Sequence, residues 1–347
     1  MTYSVYQHWD PLRVCVVGRS YPPEFYSWIT VPHVRKLFER IAIETEEDYQ
    51  NITKKLESFG VKVLRPDVLS DRSHYLMPDD SRYIAPPMTP RDHSVMIGNV
   101  FFENFNTAPG WTNGYEHIIE HVKAQGNTIR SYSYKTDLIN GSMVSRIGQD
   151  LYFGTDNYSQ NLTELQSIIN CEFTNTRNHI VNTGGHSDGV YCPVCPGLII
   201  SLDDVPTYTD TFPGWEVVYL PGQSWDKVKS FLDLKQKNKG KWWIPGFEHD
   251  QDVINTVEQW LGHWTGYVEE TVFDVNMLII DPKNVMVFNY NKQVFDALKR
   301  YGITPHIVPF RHRYFWDGGI HCVTSDLDRD GVMQDYFPER IDVQQDT

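Results

Sequence analysis

Ser94-Val95-Met96-Ile97-Gly98-Asn99-Val100-Phe101-Phe102 sets two short apolar runs on either side of a Gly-Asn pair. Such a pair accepts the left-handed backbone that a tight hairpin turn demands, so the nine residues predict a β-hairpin. The same layout recurs along the chain. Met143 to Ile147 and Leu151 to Phe153 flank Gly148-Gln149-Asp150, and Gly189 to Val194 and Leu198 to Ile200 flank Cys195-Pro196-Gly197. Asn276 to Ile280 and Val285 to Phe288 flank Asp281-Pro282-Lys283-Asn284.

Working outward from the first hairpin, Tyr115 to Lys123 has helical periodicity and Thr128 to Tyr132 reads as extended. After the fourth hairpin, Lys292 to Tyr301 predicts a helix closed by Gly302, with a strand over Ile303 to Val308. Near the start, Leu12 to Val17 is a strand, Lys36 to Phe59 a helix, and Val61 to Leu64 extended after Gly60. A ββαβ unit thus repeats about five times, roughly every fifty residues, which is the signature of units that bury their apolar faces against one another. A ring of five units would gather strand ends around a central cavity, and simple α/β layering is the competing arrangement. The expectation is one α/β domain over residues 1–347, with 224–260 as an insertion or loop that fits no unit.

Composition narrows the function. The 347 residues are 40% hydrophobic and 14% aromatic, ordinary material for a packed core, and the formal charge of -14 argues against nucleic-acid binding. Five scattered cysteines suit a reducing compartment rather than a disulfide framework. No signal-like start and no apolar run near the ~20 residues of a membrane span are present, so a cytoplasmic protein is expected. A homodimer is the default assembly. Cys192-x-x-Cys195 lacks the second ligand pair that zinc needs, and two prolines frame it on a hairpin; it reads as buried packing.

The chemistry-bearing residues interrupt the apolar pattern. Trp316-Asp317-Gly318-Gly319-Ile320-His321-Cys322-Val323-Thr324 presents a cysteine from a bend whose two glycines permit positive φ and close approach, which makes Cys322 a candidate nucleophile. Asp92 enters the first hairpin from Pro90-Arg91-Asp92-His93. His186 and Asp188, from Gly184 to Gly189, enter the third, and in an extended chain residues two apart share a face. A cysteine, a histidine and carboxylates permit covalent acyl- or amidino-type chemistry, with the histidine moving the proton. A turn cysteine, an exposed histidine and a capping aspartate are the plainer readings of each residue taken singly.

Taken in order, these blocks resemble the amidinotransferase family, that is, glycine amidinotransferase and the inosamine-phosphate enzymes. The resemblance rests on Asn276 to Gly331 with its Gly-Gly-x-His-Cys-x-Thr segment, on Pro90-Arg91-Asp92 with Ile97-Gly98-Asn99, and on His186-x-Asp188 with Pro196 to Ser201. It implies a five-fold pseudosymmetric α/β propeller and a nucleophilic role for Cys322. It also implies a general acid/base role for His186 and guanidinium binding by Asp92 and Asp188. The family pairs its histidine with an acid where this chain has Asn140, whose carbonyl can orient an imidazole, with Asp137 close enough in sequence to substitute. An arginine that grips the substrate carboxylate in the family is replaced by Val205. The implied reaction moves the amidino group of arginine to an acceptor amine and releases ornithine, with small molecules as partners and neither metal nor organic cofactor. Two rivals stand beside it: an arginine deiminase-like hydrolase using water as acceptor, and a silent member that only binds a guanidino ligand.

Overall fold

The structure, a computed structural model, describes residues 2–77, 82–105, 109–132, 139–155, 159–202, 208–220, 244, 246–247, 249–261, 272–316 and 318–340. Fifteen strands among these residues form five three-stranded sheets. The first hairpin pairs β3 (Ser94–Ile97) with β4 (Val100–Glu103), and β5 (Thr128–Ser131) adds parallel to β4. Next come β6 (Val144–Ile147), β7 (Asp150–Thr155) and β8 (Arg177–Asn182), joined in the same way. The third set is β9 (Tyr191–Cys195), β10 (Leu198–Ser201) and β11 (Glu216–Tyr219), and the fourth is β12 (Leu278–Asp281), β13 (Asn284–Val287) and β14 (Thr304–Ile307).

The remaining sheet joins the two ends of the chain. β1 (Leu12–Val17) pairs antiparallel with β15 (Thr324–Arg329) and parallel with β2 (Lys62–Leu64). The N-terminal unit therefore takes its first strand from the C-terminal part of the chain. In each sheet the parallel third strand must be reached by a crossover, which the helices Pro32–Glu57, Pro109–Ala124, Ser159–Glu172 and Lys292–Arg300 supply in four of them. Asn291 caps the last of these through Gln293 N and Val294 N, and Gly302, at φ +71, ends it. The hairpin glycines Gly98 and Gly148 sit at φ +55 and +63, which explains why Gly occupies those turns.

Some expectations shift. The part of 224–260 that falls at 251–260 is not a loop. Gln251–Thr256 is an α-helix that Asp250 caps, and Val257–Leu261 continues it as a π-turn. Val253, Ile254, Val257 and Leu261 join the same core as Val34, Leu37 and Ile41, so this stretch is packed against the long first helix. Residues 224–243, which include the run Lys235-Gln236-Lys237-Asn238-Lys239-Gly240-Lys241, lie outside the described residues, as do Asp137 and Val205. No described helix is long and apolar enough to cross a membrane.

Polar residues fill the ground between sheets. Asp326 of β15 is fully buried and receives Arg91 Nη2 at 2.9 Å, Arg146 Nη2 at 2.9 Å and Arg329 Nε at 2.7 Å. These arginines precede β3, lie on β6 and end β15, so one carboxylate ties three strands of different sheets together. Other donors of these arginines go to backbone carbonyls of His321, Thr324, Met96, Asp10 and Ile279, while Arg91 Nη1 and Arg146 Nε find no acceptor among the described residues. The three cations hold the Asp326 carboxyl well below the usual range even though burial alone would raise it.

Candidate active site

Five segments stand immediately before the first strand of the five sheets, and each carries a polar side chain that the sequence singles out or contains. Asp92 lies in the single 3-10 turn Pro90–His93 before β3, and Asp188 in the turn Ser187–Gly189 before β9. Asn140 precedes β6, Asn276 precedes β12, and Cys322 precedes β15. His186 occupies the residue before its turn with φ -58 and ψ 119. The sharing of a face by His186 and Asp188 in an extended chain therefore does not apply. A helical turn, not a strand, sets the direction of Asp188.

Cys322, 8% exposed, sits at the centre. Its Sγ is 3.4 Å from Asp188 Oδ2 and receives Asn276 Nδ2 at 3.1 Å. The same Asp188 oxygen accepts from His321 Nδ1 at 2.8 Å. Asp188 N in turn donates to Ser142 O, and Ser187 Oγ donates to the carbonyls of Ser142 and Met143. Asn140 shapes that supporting turn: its Oδ1 accepts Ser142 N at 3.0 Å, Ser142 Oγ at 2.7 Å and Met143 N at 3.0 Å. The carbonyl expected to orient His186 is thus engaged by three local donors. Its influence on the His186–Asp188 turn runs through the Ser142 and Met143 carbonyls.

On the other side, His186 Nδ1 lies 3.8 Å from Asp92 Oδ1, with the imidazole 47% exposed. Asp92 Oδ1 and Asp188 Oδ1 are both buried without a hydrogen-bond partner among the described residues. Two solvent-shielded carboxylate oxygens left unsatisfied beside a thiol are costly, and a planar cation with several N–H groups would satisfy both.

The glycines of the cysteine bend do something other than expected. Neither Gly318 nor Gly319 has positive φ. Gly319 is glycine because a Cβ there would fall 2.2 Å from Asn276 Oδ1. That oxygen accepts the backbone N–H of His321 at 2.8 Å and of Cys322 at 3.2 Å, so the Asn276 side chain fills the inside of the bend.

Electrostatics follow from burial. Desolvation pushes the Asp188 carboxyl up to about 6; His186 pulls it down and Asp92 pushes it further up. Burial pushes the Cys322 thiol well above its ordinary value, and the Asp188 and Asp92 charges add to this. Desolvation lowers the His321 imidazole well below its ordinary value, with Arg91 and His8 adding to the effect, so it is neutral and donates through Nδ1.

Two of these residues, Asn276 and His321, were not among the sequence candidates. His321 touches Cys322 in sequence, but its tie to Asp188 spans 133 positions. Asn276 opens an apolar strand, and a buried amide at the head of such a strand was the available signal.

No family model matches the sequence. It is 24% identical over 393 residues to the mitochondrial glycine amidinotransferase of Gallus gallus, across 96% of this chain and 84% of that protein. It is 21% identical over 385 residues to a putative inosamine-phosphate amidinotransferase 2 of Streptomyces griseus, across 96% and 98%. In fold it matches SxtG, an amidinotransferase from Microseira wollei, with a TM-score of 0.67 at 18% identity, covering 96% of this chain and 99% of that one. Over nearly its whole length, in sequence and in the α/β arrangement of its small sheets, this chain resembles the amidinotransferases, enzymes that transfer an amidino group.

Proposed function

We propose that this transferase moves the amidino group of L-arginine to an acceptor amine through a covalent intermediate on Cys322, within five ββαβ units closed into a pseudosymmetric propeller. The observation that carries the reading is the pair of buried oxygens on Asp92 and Asp188 that accept no hydrogen bond from the described residues, beside the Cys322 sulfur. A guanidinium placed between them gains charge-assisted hydrogen bonds on both edges. It also cancels the negative field that holds the thiol protonated, so substrate and thiolate favour each other.

The Cys322 thiolate then attacks the guanidinium carbon. As the C–N bond to the ornithine side chain breaks, protonated His186 gives its proton to the departing amine, leaving an S-amidino-cysteine. The acceptor amine attacks the same carbon and loses a proton to His186. The C–S bond breaks, the thiolate returns and the new guanidino product leaves. Asn140 acts as a positioning residue through the turn on which Ser187 and Asp188 rest. The balance of atoms closes with the two substrates alone, so the reading invokes no cofactor. Five unpaired cysteines fit a cytoplasmic location, and a homodimer is the assembly in keeping with it.

The test is to incubate the protein with arginine and a panel of amines, following ornithine and amidino products by mass spectrometry. Ornithine that appears only with an added amine, together with a mass increment on the Cys322 peptide, is the expected result. Citrulline formed without any amine would instead assign water as the acceptor, and ornithine formation by Cys322→Ala would overturn the covalent route.

A further inference from the structure

Among the groups within reach of the Cys322 sulfur, Asn276 makes four contacts that lead to one place. Its Nδ2 donates to Cys322 Sγ at 3.1 Å and to Asp188 O at 3.1 Å, and its Oδ1 accepts the N–H groups of His321 and Cys322. The side chain is 1% exposed, reaches the bend from 46 positions away, and occupies the space that a Cβ at Gly319 would need. A buried primary amide whose donor and acceptor ends are both spent is held in a single orientation, because flipping it would set its N–H groups against the two backbone donors and its oxygen against the Asp188 carbonyl and the sulfur.

We infer that Asn276 is a further catalytic residue: its amide N–H stabilises the Cys322 thiolate directly while its carbonyl fixes the bend that aims the sulfur. The inference rests on Cys322 being the nucleophile. The need for such a donor follows from the surroundings. Asp188 and Asp92 face the sulfur with negative charge, and the neutral His321 donates to Asp188 instead. Among the described residues, the groups that favour the thiolate are the Gly319 backbone hydrogen bond and the Asn276 amide, and of these two Asn276 is the side chain that substitution can remove. A hydrogen bond to a charged sulfur is stronger than one to the neutral thiol, so the donor acts most on the reactive form.

The test reads the thiol without substrate. Iodoacetamide alkylation of Cys322, resolved from the other cysteines by peptide mass spectrometry, is measured against pH; the midpoint reports thiol acidity and the plateau reports access. Asn276→Asp keeps the two backbone acceptor contacts and removes the donor. Asn276→Ala removes both without adding charge. The midpoint is expected to rise by about one pH unit or more in each, the shift that losing one charge-assisted hydrogen bond implies. A midpoint in folded Asn276→Ala that matches the parent overturns the proposal. Should that variant fail to fold, an unchanged midpoint in Asn276→Asp does the same. Failure of arginine-to-amine transfer leaves this profile untouched, so the two readings fail separately.

Discussion

At the scale of single residues, the site sets two acids and a thiol against burial. Asp188 is the group whose titration is exposed to view, since its carboxyl is pushed up to about 6. Gripping a guanidinium requires the ionised form, so kcat/KM for arginine is expected to fall as pH drops through about 6, the limb belonging to the free enzyme. The stability sign is the reverse of a salt-bridged acid. A carboxyl raised above its unfolded value of 3.8 costs folding energy once the pH exceeds that value, and the cost is complete above about 6. Asp188→Asn should therefore lose use of arginine while melting no lower than the parent at pH 7. A variant that melts well below the parent would show that Asp188 holds the fold instead. Gly319 tests close approach in the same neighbourhood. Gly319→Ala must displace Asn276, and overpacking of this kind costs about 1–3 kcal/mol together with the geometry of the sulfur. Denaturant melts and alkylation of Cys322 read the two effects.

At the scale of elements, the recurrent sheet supplies the frame and the segment before the first strand of each sheet carries a candidate residue. Gly302 makes the contrast with Gly319 explicit. At φ +71 with nothing within 4 Å of a Cβ, Gly302→Ala should cost about 1–2 kcal/mol of backbone strain and leave activity unchanged. Loss of activity there would mean that the helix end controls the site. The hairpins were legible because paired apolar runs and the turn residues between them are local signals. Local signals also placed a helix over Lys292 to Tyr301 with its Gly302 stop, which the structure shows as Lys292–Arg300 and to which it adds the Asn291 cap. The 3-10 turns at Asp92 and Asp188 were not legible, because a three- or four-residue turn has no period to detect. The helix at Gln251–Thr256 was hidden by its polar, lysine-rich neighbourhood, although Val253, Ile254 and Val257 face the core.

At the scale of the whole molecule, one buried acid binds the sheets. Asp326 balances Arg91, Arg146 and Arg329 in a site from which all four are shielded. Burial pulls the Arg146 guanidinium down to about 10 even with that partner. Asp326→Ala leaves three buried cations without their acceptor, and is expected to lose about 3–5 kcal/mol in urea melts. Because the folded carboxyl is held well below 3.8, its contribution is fully present above that value and lost only as pH falls through the lower folded one. The variant's stability should therefore depend less on pH in the acid range than the parent's. Arg91 links this cluster to the site, since its Nε donates to the carbonyls of His321 and Thr324 on either side of Cys322.

The sequence by itself determined four hairpins recurring roughly every fifty residues and the residues that interrupt their apolar pattern, because paired apolar runs, turn residues and motif order are written locally. It also contained the resemblance that the comparisons bear out. Only the tertiary structure decided that β15 completes the first sheet, since pairing residues 12–17 with 324–329 is a contact no local pattern encodes. The partners of the sulfur were decided there too. Asn276 and His321–Asp188 meet Cys322 because three separate segments end at one point, and the burial at that point fixes which amide, imidazole and carboxylate remain within hydrogen-bond reach.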